Sequence, residues 1–243
     1  MVTKSQSALP VPAAAIAFRP DYLDFRRGIH VGNLEDNERI TRILKLALES
    51  RYAQPFVTER WGRGVYWQWI GYLPRANREA MPLSSHVSFG CSKFFISVDT
   101  EEKLFKCGMQ VERGYVKAPR DYRECQLQSD WDWHRLLGAL KLRSPMEHEL
   151  KRLVREGFML RGGSWESESP GLDRNSFPSM TKLRGLLKAA PAAHWAGFQL
   201  YYPMTEGEVG ASTGLDLVES MLAIFHEVTP VMNLCMKVQL TEE

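Results

Sequence analysis

The sequence predicts an α+β protein built on a mainly antiparallel sheet that several amphipathic helices cover. Two alternating apolar runs, joined by the polar stretch DTEE at residues 99–102, indicate a central β-hairpin over about residues 85–116. Helical patterns follow in blocks instead of alternating strictly with strands, which is typical of this class. The chain has no run of eighteen apolar residues that could span a bilayer.

Length and composition limit the class of protein further. The 243 residues suit one large domain with its own core. We predict a flexible N-terminal tail over residues 1–20 and a single domain over residues 21–243, in which two lobes would meet near residues 125–130. With 31 basic and 29 acidic side chains, the formal net charge is only +2. Any affinity for a polyanion must therefore come from local clusters of charge.

The cysteines indicate the compartment. Cys91, Cys107, Cys125 and Cys235 show no C-x-x-C spacing and no histidine at metal-ligand spacing. We therefore expect reduced thiols in a cytoplasmic protein, with no metal, no cofactor and no membrane partner.

The first predicted helix begins at Glu38 and ends near Tyr52, because apolar residues recur there at helical spacing. On its polar side, Glu38 and Arg42 would form an i,i+4 ion pair. A strand rich in aromatic residues is then predicted over residues 65–73. Strict alternation along it would place Trp67 and Trp69 on the same side.

The central hairpin is predicted with a turn that pairs Asp99 with Glu102. This register puts apolar side chains on one face and polar side chains on the other, as a half-buried sheet requires. The predicted apolar face carries Phe94, Ile96, Val98, Phe105, Cys107, Met109 and Val111.

Local start and stop residues mark the remaining elements. Helices are predicted after Ser129 and after Ser144, the second ending at Gly157. The Gly- and Ser-rich residues 162–178 are predicted to form a long exposed loop. The chain then continues with a helix over residues 179–188, a strand over residues 194–204, and a helix that Thr213 caps and Pro230 breaks or kinks.

The strongest functional pattern is the stretch ERWGRGVYWQWIGYLPRANR at residues 59–78. It combines flat rings, on which nucleobases stack, with four arginines and one glutamate. Large aromatic residues at strand positions are also typical of a core, so the stretch is either a packed strand or an exposed platform. The candidate binding residues are Arg60, Trp61, Arg63, Tyr66, Trp67, Trp69, Arg75 and Arg78.

A second basic pattern lies on the helix that follows Ser144. Basic residues at i, i+3, i+4 and i+7 form a stripe opposite its apolar face. The stripe is an ordinary solvated face if neighbouring glutamates pair with it, and a phosphate-binding face if they do not. With flanking arginines, the candidate set is Arg143, His148, Lys151, Arg152, Arg155 and Arg161.

Common catalytic motifs are missing from the sequence, including the P-loop, the dinucleotide fingerprint, H-E-x-x-H and G-x-S-x-G. The leading hypothesis is therefore a binding or accessory protein whose aromatic and arginine-rich surface contacts a nucleic acid or a protein partner. One alternative is an enzyme with a cleft between the sheet and the 162–178 loop, using Lys106, Gln110, Glu112 and His134. The other is a structural subunit of a homo- or hetero-oligomer.

Overall fold

The computed structural model describes residues 13–167 and 171–241. Within these residues eight strands form one antiparallel sheet, which confirms the predicted α+β class. The strands are β1 (Leu23–Asp24), β2 (Gly28–His30), β3 (Phe56–Arg63), β4 (Tyr66–Pro74), β5 (Lys93–Asp99), β6 (Leu104–Gly114), β7 (Met159–Ser164) and β8 (Ala196–Thr205). Their spatial order is β1, β2, β4, β5, β6, β8, β7, and β3 also pairs with β4.

Helices are interspersed with the strands in the same described part of the chain. The α-helices are α1 (Ile40–Arg51), α2 (Arg75–Glu79), α3 (Asp132–Ala139), α4 (Pro145–Arg155), α5 (Met180–Ala189), α6 (Glu206–Gly210) and α7 (Gly214–Cys235). Short 3₁₀-helices cover Ala13–Ala15, Pro20–Tyr22 and Arg120–Cys125. Within the described residues, no helix is both long enough and apolar enough to cross a membrane.

Helix α7 packs on the apolar face of the sheet and forms the centre of the core. Phe225 is fully buried and stacks on Phe94 of β5, with ring centroids 4.8 Å apart. Its ring also contacts Tyr72 of β4. Helices α1, α3 and α4 pack against α7. Full burial of one such ring contributes roughly 1.5–3 kcal/mol, so the hydrophobic effect holds this face together.

The central hairpin has the predicted faces but a different register. Asp99 pairs with Leu104 instead of Glu102, so the predicted register is wrong by two residues. A two-residue shift returns every side chain to its original face, and the predicted apolar face is buried as expected. The turn is longer because the Asp99 carboxylate accepts hydrogen bonds from two backbone N–H groups and Lys103 adopts a φ of 53°.

Three predicted helix starts are confirmed. Ser144, Ser179 and Thr213 each accept a hydrogen bond from the backbone N–H three residues on, at the starts of α4, α5 and α7. The start predicted at Ser129 is wrong, because α3 begins at Asp132. Tertiary contacts set that start: the buried Asp132 carboxylate accepts bonds from a side-chain amide of α2 and from a backbone N–H just before β5.

Other boundaries also depend on tertiary contacts. Gly162, predicted to open the exposed loop, is a buried residue of β7, where an added Cβ would lie 2.5 Å from Leu187 of α5. Pro230 does not end α7, which continues to Cys235. Residues 1–12 of the predicted tail lie outside the described residues, whereas Phe18 near its end is buried.

Candidate functional site

The hairpin formed by β3 and β4 carries most of the candidate binding residues. A bulge interrupts its register, so that Trp61 pairs with Trp69 whereas the next residue, Gly62, pairs with Trp67. Trp67 and Trp69 therefore lie on opposite faces of the sheet, and the predicted shared side is wrong. A bulge cannot be seen in the alternation of a single strand, because it is a property of the pair.

Trp67 lies on the helix-covered face, beside Arg60 of β3. The Arg60 guanidinium carbon is 4.2 Å from the centroid of the Trp67 ring, which is a cation–π contact. Trp67 is half-buried against the core, and its Nε1 donates to the carbonyl of Gly64 at 3.3 Å. The two side chains thus hold each other in place on the hairpin.

Arg60 and Trp67 line an open cleft of about 650 Å³, which we call the basic cleft. Its other side is lined by Arg42 and Lys45 of α1 and by Arg39, the residue just before that helix. The cleft therefore gathers four cations from two separate elements, and its volume lies within the range of about 300–1,000 Å³ that is typical of ligand sites. Val31, Gly32, Thr41, Thr58 and Gly64 complete its lining.

Carboxylates neutralise the basic cleft only in part. Within the described residues, the Asp36 carboxylate lies 3.5 Å from Arg39 and 3.9 Å from Arg42. The Glu49 carboxylate lies 3.6 Å from the Lys45 ammonium group. Arg60 forms no ion pair in this part of the chain. The predicted pair between Glu38 and Arg42 is wrong, because the Glu38 carboxylate instead accepts bonds from a tyrosine hydroxyl and a backbone N–H. The cleft keeps an excess of positive charge.

The N-terminus of α1 adds to this positive potential. The first turn of α1 has no acidic residue, and the N-cap residue Arg39 makes no side-chain capping bond. Helix N-termini carry partial positive charge, so nearby cations destabilise the helix unless an anion is present. Arg39 Nε is buried without a hydrogen-bond partner among the described residues. The uncapped N-terminus of α1 and the unpartnered Nε of Arg39 both favour an anionic ligand.

Three other candidates lie near the tip of the hairpin. Trp61 is 69% exposed and Arg63 is exposed, so both are accessible to a ligand. Tyr66 is different, because its ring stacks on His30 at 5.0 Å and lies 4.2 Å from the Arg27 guanidinium. Its contacts are internal and support a role in packing.

Arg75 and Arg78 lie on α2, at the opposite end of β4 from the hairpin tip. Strand β4 separates the two ends by roughly 27 Å at the usual rise per residue. The structure therefore does not bring these two arginines to the basic cleft.

Trp69 belongs to a polar network on the second face of the sheet, opposite α7. Its ring lies over Gly71, where an added Cβ would be 2.3 Å away. Its Nε1 donates to Gln110 Oε1 at 3.2 Å, and Gln199 Nε2 donates to the same oxygen at 2.7 Å. Gln110 Nε2 in turn donates to Glu112 Oε1 at 3.0 Å. Trp69 is thus fixed by internal bonds.

Lys93 is the centre of this network. Its side chain is 0% exposed, and Nζ donates to Glu59 at 2.6 Å, Glu112 at 2.8 Å and the Ser88 carbonyl at 3.1 Å. Burial alone would lower the pKa of Lys93, but the two carboxylates raise it above its usual value. Burial raises the pKa of Glu112, although Lys93 opposes the effect. The three ammonium donors are all used within the protein, which ties β3, β5 and β6 together.

The predicted basic stripe on α4 is largely neutralised. Lys151 pairs with Glu147 at 2.8 Å. Arg152 contacts three carboxylates, which raise its pKa although partial burial lowers it. These carboxylates belong to Glu149, Glu156 and Glu227, at 3.0, 2.9 and 2.7 Å.

The remaining members of that set do not form one surface. Arg143 precedes α4 with a φ of 56°, and His148 is exposed on the helix. Arg161 lies on β7, where it pairs in register with Gln199. Arg155 faces a different segment, residues 171–178, as described below.

The residues of the enzyme alternative are only partly together. Lys106, Gln110 and Glu112 share the second face of the sheet, and Lys106 is bound to Asp99 at 2.8 Å. His134 lies on α3, where Nε2 is 3.1 Å from the Gln128 carbonyl. Across the described ranges, no group of three His, Cys, Asp or Glu side chains is arranged to hold a metal ion.

Comparisons of the chain with protein-family models, with curated proteins and with solved structures gave no match. The geometry of the basic cleft is therefore the main indication of function.

Proposed function

We propose that this protein binds single-stranded nucleic acid at the basic cleft and the adjoining tip of the β3–β4 hairpin. The proposal is supported by four cations that line one cleft with Trp67, whereas among the described residues two carboxylates lie within ion-pair distance of them. Phosphate groups would neutralise the excess charge and release counterions, which is the main source of affinity for nucleic acids.

The exposed tryptophan ring of the hairpin favours binding of a single strand over binding of a duplex. Trp61 is 69% exposed near the hairpin tip, on the face opposite the cleft because it pairs with Trp69, and an unpaired base can stack on its ring where a strand passes over the tip. Bases in a duplex are already stacked on one another, so they would gain little from Trp61. The second face of the sheet is a poorer surface for a polyanion, because Glu59 and Glu112 outnumber Lys93 in its central network.

The buried titratable groups of the sheet support a binding role more than a catalytic one, because their hydrogen bonds are made within the protein. Lys93 and Glu112 are both buried, and their hydrogen bonds are made to each other and to neighbours inside the sheet. Four free, buried cysteines support the further proposal of a cytoplasmic location.

The direct test is the affinity for a fluorescently labelled oligothymidylate of about twenty nucleotides, measured by anisotropy at low salt. We expect Arg42→Ala and Arg60→Ala each to weaken binding about fivefold, and Trp61→Ala to weaken it about tenfold. Arg120→Ala removes the same charge from an exposed site elsewhere and should leave the affinity unchanged.

Two results would contradict the proposal. One is a lack of measurable binding by the unmodified protein at low salt. The other is an equal loss of affinity in Arg120→Ala and in the two cleft variants, because a general charge effect would then explain the binding.

A further inference from the structure

A second cluster of cations lies at the other edge of the molecule. A depression of about 280 Å³ is lined by Lys151 and Arg155 of α4, by Arg174, and by the apolar side chains of Val154 and Phe177. We call it the α4 pocket. It unites two members of the predicted basic stripe with an arginine from a segment far along the chain, which sequence spacing could not show.

The segment that carries Arg174 is held rigidly against the sheet. Leu172 and Leu160 of β7 exchange two backbone hydrogen bonds, at 2.9 and 2.6 Å. The Asp173 carboxylate then closes a turn by accepting bonds from the N–H groups of Asn175 and Ser176 and from the Ser176 hydroxyl. The turn therefore fixes the backbone that carries Arg174 before any ligand arrives.

The acidic neighbours of the α4 pocket are already engaged. Glu147 is paired with Lys151, and the other two glutamates of this region of α4 contact Arg152. The pKa of Asp173 is lowered by the hydrogen bonds that the Ser176 hydroxyl and nearby N–H groups donate. Within the described ranges, Arg155 and Arg174 form no ion pair, so positive charge remains beside an apolar wall.

Charge and size together define the ligand. A phosphate monoester matches the fork of hydrogen-bond donors that arginine presents. Phe177, half-buried against the core, offers apolar surface to the remainder of the ligand, and the buried Val154 lies beneath it. The volume lies just below the range of about 300–1,000 Å³ for drug-sized sites, which favours a compact molecule over a nucleic-acid strand. We propose that the α4 pocket binds a small phosphate monoester with one apolar ring, independently of the basic cleft.

The probe for this site is phenyl phosphate. Its binding to the full chain is measured by a phosphorus NMR titration. We expect saturable binding, about tenfold weaker binding of inorganic phosphate because the apolar contacts are lost, and about tenfold weaker binding of phenyl phosphate by Arg155→Ala and Arg174→Ala. Both residues are exposed, so these variants should fold. Arg120→Ala is the matched control and should bind like the unmodified protein.

Three outcomes would overturn this inference. The first is no saturable binding of phenyl phosphate, and the second is equal binding by the two pocket variants and the control. The third is a loss of oligothymidylate affinity in Arg155→Ala and Arg174→Ala as large as that in the cleft variants. In that case the α4 pocket would be part of a nucleic-acid interface.

Discussion

At the scale of single residues, Lys93 joins three strands through buried ion pairs. Its ammonium group is the partner of two carboxylates, and Glu112 is buried with it. We expect Lys93→Met to lower the free energy of unfolding by about 3–5 kcal/mol at neutral pH, because it leaves an uncompensated buried charge. Urea denaturation measures this loss.

The pH dependence of that loss distinguishes charge from packing. Because burial raises the pKa of Glu112, and Lys93→Met removes the cation that opposes this effect, Glu112 should take up a proton more readily in the variant. The stability deficit should therefore be smaller near pH 5 than near pH 8. A deficit that does not change with pH would contradict the charge explanation. Lys141→Met, at an exposed position, is the control.

At the scale of elements, the β5–β6 hairpin depends on Asp99, whose carboxylate binds Lys106 and two N–H groups of the turn. Burial raises the pKa of Asp99, but these donors outweigh burial and lower it below its usual value. The stability that Asp99 contributes is therefore present above about pH 3.9 and is lost as the pH falls through the lower folded-state pKa.

The corresponding variant is Asp99→Asn. We expect it to lower the free energy of unfolding by about 1–2 kcal/mol at pH 7, and the difference from the unmodified protein should shrink below about pH 4. Asp121→Asn, at an exposed position, should change stability by less than about 0.5 kcal/mol. A difference that persists unchanged at pH 3 would show that the Asp99 charge is unimportant.

The helices and strands differ in how far their bounds could be predicted from the sequence. The starts of α4, α5 and α7 were predictable, because capping depends on residues three positions apart. The faces of the hairpin were predictable from alternation, but not its register, because a two-residue shift preserves both faces. Gly162 resembled a loop residue, and only its contact with Leu187 explains its place in β7.

The candidate site was only partly predictable for the same reason. Arg60 and Trp67 came from an obvious local pattern, and both line the basic cleft. The cations of α1 were missed, although three basic residues at i, i+3 and i+6 beside a first turn without acids are visible in the sequence. Their meeting with Arg60 depends on tertiary packing. The bulge that moves Trp69 to the other face depends on strand pairing.

At the scale of the whole molecule, one sheet joins strands from both sides of residues 125–130, since β1 to β6 precede that region and β7 and β8 follow it. Helix α7 packs on this shared sheet. We expect a single unfolding transition in urea, with the same midpoint by tryptophan fluorescence and by circular dichroism. Two separate midpoints would indicate two lobes that unfold independently.

The measurement that tests the central claim most directly is the salt dependence of oligothymidylate affinity. If the four cations of the basic cleft each contact a phosphate, the logarithm of the association constant should fall with the logarithm of salt concentration with a slope of about −3. The double variant Arg42→Ala, Arg60→Ala should reduce the steepness of that slope by about 1.4, because two contacts are removed. An unchanged slope in the double variant, or an affinity that does not depend on salt, would contradict the proposed interface.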